Sequence, residues 1–253
     1  MTTAVEAVDI PGDEVRNHRE WAFSQQYING AWRTGGAGRT IADTDPYSKD
    51  ALAEIVLADR RDVEDAYQAA SKAQLAWAQA LPWQREAVLL RCAALIEERR
   101  AEIVDWLVRE AGSTRIKAET EAQWTCAVTV EAASFAHRVA GNILPIDIAG
   151  KESRVYRQPV GVVGVISPWN FPMYLSQRAV APAIALGNAV VLKPAQDTPV
   201  AGGLLLAKLY EEAGLPGGVL NAIVGASGEI GDAFVQHPAA RVVATPHQLI
   251  PSR

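Results

Sequence analysis

GVVGVISPWNFPMYLSQRAVAPAIALGNAVVLKPAQDTP, Gly161–Pro199, is the stretch whose reading decides the fold. Val162-Val163-Gly164-Val165-Ile166 is a short apolar run rich in β-branched residues, the pattern of a strand buried on both faces of a parallel sheet. Ser167-Pro168-Trp169-Asn170 turns the chain. Pro172 suits the first turn of a helix, where a missing N–H costs nothing, Gly187-Asn188 suits its end, and Pro182 is expected to kink it. A second strand, Ala189–Leu192, then delivers Lys193 at its C-terminal end, the edge at which open parallel sheets bind ligands. The unit reads as strand, helix, strand and helix start, a nucleotide-binding βαβ pattern in which Asn170 and Lys193 face one crevice.

Outward from this unit, Thr198-Pro199 predicts a helix start with a threonine cap and proline at the first helical position. That helix closes at Gly214, and Leu215-Pro216-Gly217-Gly218 is a turn. Val219–Val224 is a third buried strand, Gly228–His237 a short helix, and Arg241–Ala244 a fourth strand. Regular patterning then stops, leaving residues 245–253 as an aberrant tail. On the N-terminal side, Asn29-Gly30 in YINGAW predicts a tight hairpin. Helical periodicity runs from Asp62, a candidate cap, to Trp77, again over Arg85–Ala111, and again over about Lys117–Ala140. The charge runs Arg60-Arg61 and Glu97-Glu98-Arg99-Arg100 read as solvated helix faces. Residues 142–159 alternate loosely around Gly150-Lys151 as a two-stranded excursion, and residues 1–20 read as an arm or irregular first turn.

The fold class is therefore α/β: a Rossmann-like open parallel sheet with flanking helices, preceded by an α-helical region and a small β-hairpin.

Composition bounds the function. The 253 residues are 49% hydrophobic and 21% charged with net charge −5, ordinary for a globular chain that buries a real core, and this balance gives no reason to bind nucleic acid or an anionic membrane. The longest apolar stretch, Ala179–Leu192, is interrupted and too short to span a bilayer, and the N-terminus lacks a signal-peptide pattern, so a cytoplasmic location is expected. Two cysteines, Cys92 and Cys126, both within helical patterns, suggest neither disulfides nor a zinc site. Cys92 lies on an apolar stripe as a core residue. Cys126 has no activating neighbour in sequence. No metal site is expected.

SPWNFP, VVLKPAQDTP and VGASGEIG resemble, in order and spacing, the cofactor-binding half of the NAD(P)-dependent aldehyde dehydrogenase superfamily, over roughly Tyr27 to Val243. YINGAW and REAGSTRIKAE (Arg109–Glu119) are similar to the same family, the latter to its benzaldehyde and aromatic-aldehyde members. The resemblance implies NAD or NADP as cofactor and a small-molecule aldehyde as substrate. It implies that residues 21–244 form the cofactor-binding domain, that the hairpin at 142–159 projects to associate subunits, and that the family's homo-oligomers form through it. A hairpin packed on its own chain is the other reading.

Asn170 either caps the helix that follows it or, as the resemblance implies, donates to a developing oxyanion. Lys193 is either a solvated strand-end lysine or, by resemblance, a donor to a cofactor ribose. By the same resemblance Ile166, Ser167, Pro168, Trp169 and Asn170 line the cofactor, as do Lys193, Pro194, Ala195 and Gln196. Ser227 and Gly228 follow a strand and open a helix, a weak pattern unlike GxGxxG, and the resemblance lays them along the adenosine. Gln196 stands where the family often has the Glu that disfavours NADP.

After Val243 the family's pyrophosphate loop, general-base Glu and nucleophilic Cys do not follow. The expectation is a truncated chain, by frameshift, misplaced gene boundary or design, without a catalytic domain and inactive alone. A non-catalytic nucleotide-binding or subunit-association fragment is the alternative.

Overall fold

A computed structural model describes residues 22–245 and 248–251, the last four by their backbone. The expected arm at residues 1–20 lies outside the described residues. Among the described residues the first element is a hairpin, β1 (Gln26–Ile28) and β2 (Ala31–Arg33), turning at Asn29 and Gly30 with φ of 55° and 78°. Both positive angles are what this two-residue turn requires. A second hairpin, β3 (Thr40–Thr44) and β4 (Ala51–Val56), which the sequence reading lacks, leads into the helices. These are α1 (Arg60–Gln79), α2 (Pro82–Glu98), α3 (Arg100–Arg109) and α4 (Arg115–Phe135). A small antiparallel pair, β5 (Asn142–Leu144) and β6 (Ser153–Val155), forms the expected excursion.

The central unit is β7 (Val162–Ile166), α5 (Pro172–Ala185) and β8 (Ala189–Lys193), within a residue of the predicted bounds. A π-helical turn, Val200–Leu204, runs into α6 (Leu205–Glu212); β9 (Leu220–Ala222), α7 (Ser227–Val235), β10 (Ala240–Thr245) and β11 (Gln248–Pro251) complete the order. The sheet runs β11-β10-β7-β8-β9-β1-β2. Its four central strands are parallel, and antiparallel strands flank them on both sides. The opening hairpin is thus an edge of the main sheet, and the tail at 248–251 pairs with β10 where the sequence pattern stops.

Alternation along the central strands divides the core. Val163, Val165, Val190 and Leu192 pack with α2 to α6, while Val162, Ala189 and Val191 pack with Val63, Tyr67 and Ala70 of α1 and Phe234 of α7. Such strands, buried on both faces, require the near-continuous apolar runs that the sequence shows. No helix among the described residues is long and apolar enough to cross a membrane.

Several boundaries differ from the sequence reading. Asp59, not Asp62, caps α1; Asp62 is the third helical residue, returning a bond to the Asp59 N–H. Arg85–Ala111 is two helices, broken at Arg99 with φ −107° and ψ 17°. Arg99 is buried and its guanidinium bonds Glu102 at 2.9 Å, so the Glu97–Arg100 run is not wholly a solvated face. The helix expected to reach Ala140 stops at Phe135. α5 continues past Pro182 for three residues as one helix.

Candidate functional site

Two strand ends meet at the carboxyl edge of the sheet. The Ser167 N–H bonds the Lys193 carbonyl at 3.1 Å, extending the β7–β8 ladder by one residue. Lys193 is 3% exposed, and its Nζ donates to Ser227 Oγ at 3.0 Å, at the first residue of α7. Burial lowers its pKa. A buried ammonium has three donor positions, and one hydroxyl satisfies one of them. Ser167 Oγ is buried without a partner as well. Beside Ser227, a Cβ added at Gly228 would meet nothing within 4 Å, so the start of α7 faces open space.

The loop after Lys193 is held from behind. Pro194 is buried, and Cβ atoms built on Gly202 and Gly203 would lie 3.2 and 2.7 Å from its ring, so the π-helical turn approaches this loop by omitting side chains. Ala195 and Gln196 are half-buried, and the Thr198 N–H closes a turn onto the Ala195 carbonyl at 3.3 Å. The expected Thr198 cap is not made: its hydroxyl is buried and unpartnered. Glu110, at the end of α3, caps this helix instead, its two carboxylate oxygens accepting from the Val200 and Ala201 N–H groups at 2.7 Å each.

The same device recurs at α5. Phe171 is the N-cap and contributes no side-chain bond, so Asn170 does not cap the helix. The buried Glu121 of α4 accepts from Met173 and Tyr174 N–H at 2.9 and 3.3 Å, and Lys117 pairs with its other oxygen at 3.1 Å. Burial outweighs Lys117 and raises the Glu121 pKa. Sequence reasoning missed both glutamates. One signal was present for Glu121: it shares the helical stripe of Ala118, Ala122, Thr125 and Thr129, all buried.

Of the predicted residues, the structure joins Ser167, Lys193, Pro194 and Ser227, with Gly228 at their open side. Ile166 and Pro168 are half-buried along the strand end, and Trp169 and Asn170 are exposed. The Asn170 side chain makes no hydrogen bond among the described residues, leaving its amide free to donate. Next to it, Trp124 of α4 stacks on Phe171 (6.0 Å between ring centroids) and meets Tyr174 (5.6 Å), with Lys117 Nζ 4.3 Å above the Phe171 ring. Cys92 is fully buried, and burial pushes its thiol up; Cys126 is half-buried, and burial, reinforced by Glu97, pushes its thiol up to about 11. Neither is an activated nucleophile. No cluster among the described residues could hold a metal ion.

Residues 32–245 match the aldehyde dehydrogenase family. The chain is 50% identical over 221 residues to a vanillin dehydrogenase of Corynebacterium glutamicum, covering 87% of this chain and 46% of the relative. It is 42% identical to a benzaldehyde dehydrogenase of Bacillus subtilis, covering 88% and 46%. Among solved structures it resembles an NAD-dependent benzaldehyde dehydrogenase from C. glutamicum with a TM-score of 0.86 at 50% identity, over 88% of this chain and 49% of the other. The chain thus spans about half the length of the curated relatives it matches.

Proposed function

The chain belongs to the aldehyde dehydrogenase family, and we propose that it is the cofactor-holding part of a cytoplasmic enzyme that oxidises aldehydes with NAD or NADP. The observation that carries this reading is Lys193: a buried ammonium with a single hydroxyl partner, set where a parallel sheet offers its ligand edge. A ribose diol supplies the acceptors that Lys193 and Ser227 lack, and the open flank at Gly228 leaves room for adenosine. When bound, the cofactor accepts the hydride that aldehyde oxidation releases. The chain's own residues hold and orient: Lys193 and Ser227 donate to the sugar, Gln196 borders it, and the Asn170 amide donates to an oxyanion formed beside it.

Aromatic aldehydes are the favoured substrate class. The relatives named for vanillin and benzaldehyde support this, as does the Trp124, Phe171 and Tyr174 cluster adjoining Asn170. Residues 21–244 serve as one cofactor-binding unit, and the chain alone is inactive for want of an activated thiol. Subunit association is a second role, favoured by the apolar exposure of Ile143 (69%), Ile148 (54%) and Tyr156 (71%) on the hairpin around β5 and β6.

Calorimetric titration of NAD and NADP into the chain and into Lys193→Met tests the reading. Binding weaker than micromolar, abolished by Lys193→Met, is expected; no saturable binding of either nucleotide, or unchanged binding by the variant, would refute it.

A further inference from the structure

Behind the cofactor loop, two acids meet in the core. Asp43 on β3 is 4% exposed and Glu110 at the end of α3 is 3% exposed, and their carboxyls lie within hydrogen-bond reach of each other. No Lys, Arg or His pairs with either group among the described residues. The neighbouring charges, Asp45 and Lys49 after β3 and Arg109 on α3, interact with one another instead. The groups facing the pair are neutral: the Thr44 N–H toward Asp43, Ala53 of β4 opposite it in register, and the Val200 and Ala201 N–H groups toward Glu110. Asp43 Oδ2 is buried and unpartnered as an acceptor.

Two carboxylates in contact without a cation cannot both stay ionised in a low-dielectric interior. Each oxygen of Glu110 already accepts a backbone N–H, which favours its ionised form. Asp43 Oδ2, the atom without a donor, becomes satisfied by carrying a hydrogen itself.

We propose that Asp43 and Glu110 share one proton at neutral pH, carried on Asp43 Oδ2 and donated to the Glu110 carboxylate, and that this bridge ties β3 to the helix start behind the cofactor loop in a pH-dependent way. The bridge joins three segments distant in sequence: β3, the end of α3 and the turn that begins at Val200. Burial and the like charge hold the last proton of the pair well above the ordinary carboxylate range.

The sign follows from linkage. The unfolded chain releases this proton near pH 4 whereas the folded chain keeps it, so raising the pH above that value favours unfolding. Each pH unit over which the folded state holds one extra proton multiplies the unfolding constant about tenfold. Asp43→Asn supplies a permanent donor to Glu110 and keeps the acceptor for the Thr44 N–H.

Urea unfolding of wild type and Asp43→Asn between pH 5 and pH 8 is the test. Wild type is expected to lose stability relative to the variant by about tenfold per pH unit between pH 5 and pH 7, so that Asp43→Asn is the more stable protein at pH 8. Parallel profiles would overturn the proposal. Infrared spectra of wild type in D2O at neutral pH should also show a protonated-carboxyl carbonyl band that survives in Glu121→Gln. Should Asp43→Asn fail to fold, this band decides the matter: its absence from wild type, or its loss in Glu121→Gln, would overturn the shared proton.

Discussion

Replacing Glu121 with alanine should loosen the turn that carries Asn170 without touching any residue of it. The carboxylate is fully buried and accepts from the Met173 and Tyr174 N–H groups at 2.9 and 3.3 Å, the first free donors of α5. Removing it leaves two buried donors without partners, each costing about 1–3 kcal/mol. It also removes a negative charge from a helix N-terminus, worth up to about 2 kcal/mol in partly buried geometry. Against this stands the cost of keeping that charge buried, visible in its raised pKa, which the variant no longer bears. Lys117, with 29% of its side chain exposed, can turn to solvent. The net expectation is a loss of about 2–4 kcal/mol for Glu121→Ala. Glu121→Gln should lose roughly half as much, since its amide oxygen still accepts one N–H while its NH2 opposes the other. Urea unfolding followed by tryptophan fluorescence and circular dichroism measures both. A loss below about 1 kcal/mol for the alanine variant, or a glutamine variant less stable than the alanine one, would show that the carboxylate does not hold this helix start.

Four further outcomes are expected. Gly203→Ala places a Cβ 2.7 Å from Pro194 Cγ, against a ring that cannot rotate away, so it should destabilise by about 1–3 kcal/mol and weaken nucleotide binding; unchanged unfolding and titration curves would contradict this. In a full-length protein carrying this domain, Gln196→Glu should shift preference from NADP toward NAD, because a carboxylate repels a 2′-phosphate that a neutral amide tolerates; an unchanged ratio of kcat/KM values removes Gln196 as the selector. The chain alone should show no NAD(P)H formation with benzaldehyde, and Cys126 should alkylate slowly at pH 7.5 and faster toward pH about 11, as its thiolate appears. Turnover abolished by Cys92→Ser or Cys126→Ser would overturn the assignment of both thiols as unactivated.

The parts of the fold read from sequence are those fixed by local chemistry. Val162–Ile166 and Ala189–Lys193 announce buried strands by composition alone, and Asn29-Gly30 announces its turn because two positive φ angles exclude most other residues. Lys193 and Ser227 were placed by position at a strand end and a helix start, and the structure brings them together. What stayed hidden depends on distant partners. Glu110 looks like a surface charge at a helix end until the helix it caps is in place, and Glu121 is marked only by the small-residue stripe it shares. Thr198 and Asn170 have the right residue type to cap locally, yet a buried carboxylate from another helix satisfies the same N–H groups better. The break at Arg99 gives no composition signal, since both flanking segments keep apolar helical spacing. The β3–β4 hairpin was missed because half its residues face solvent and no tight-turn dipeptide marks its loop.

The opening hairpin makes the sheet a matter of timing. The Asn29 N–H bonds the Asn221 side chain across 192 residues of sequence, and β1 has no sheet neighbour other than β2 until β9 exists. At ribosomal rates of about 5–20 residues per second, β1 waits about 10 to 40 s with one edge unpaired while the strand it will join is made. Gln26, Tyr27 and Ile28, all buried in the finished sheet, stay uncovered on that side for the whole interval. A lone two-stranded hairpin is marginal in water, so the first of the described strands to leave the ribosome is among the last to find its place, and chaperone binding during synthesis should concentrate there.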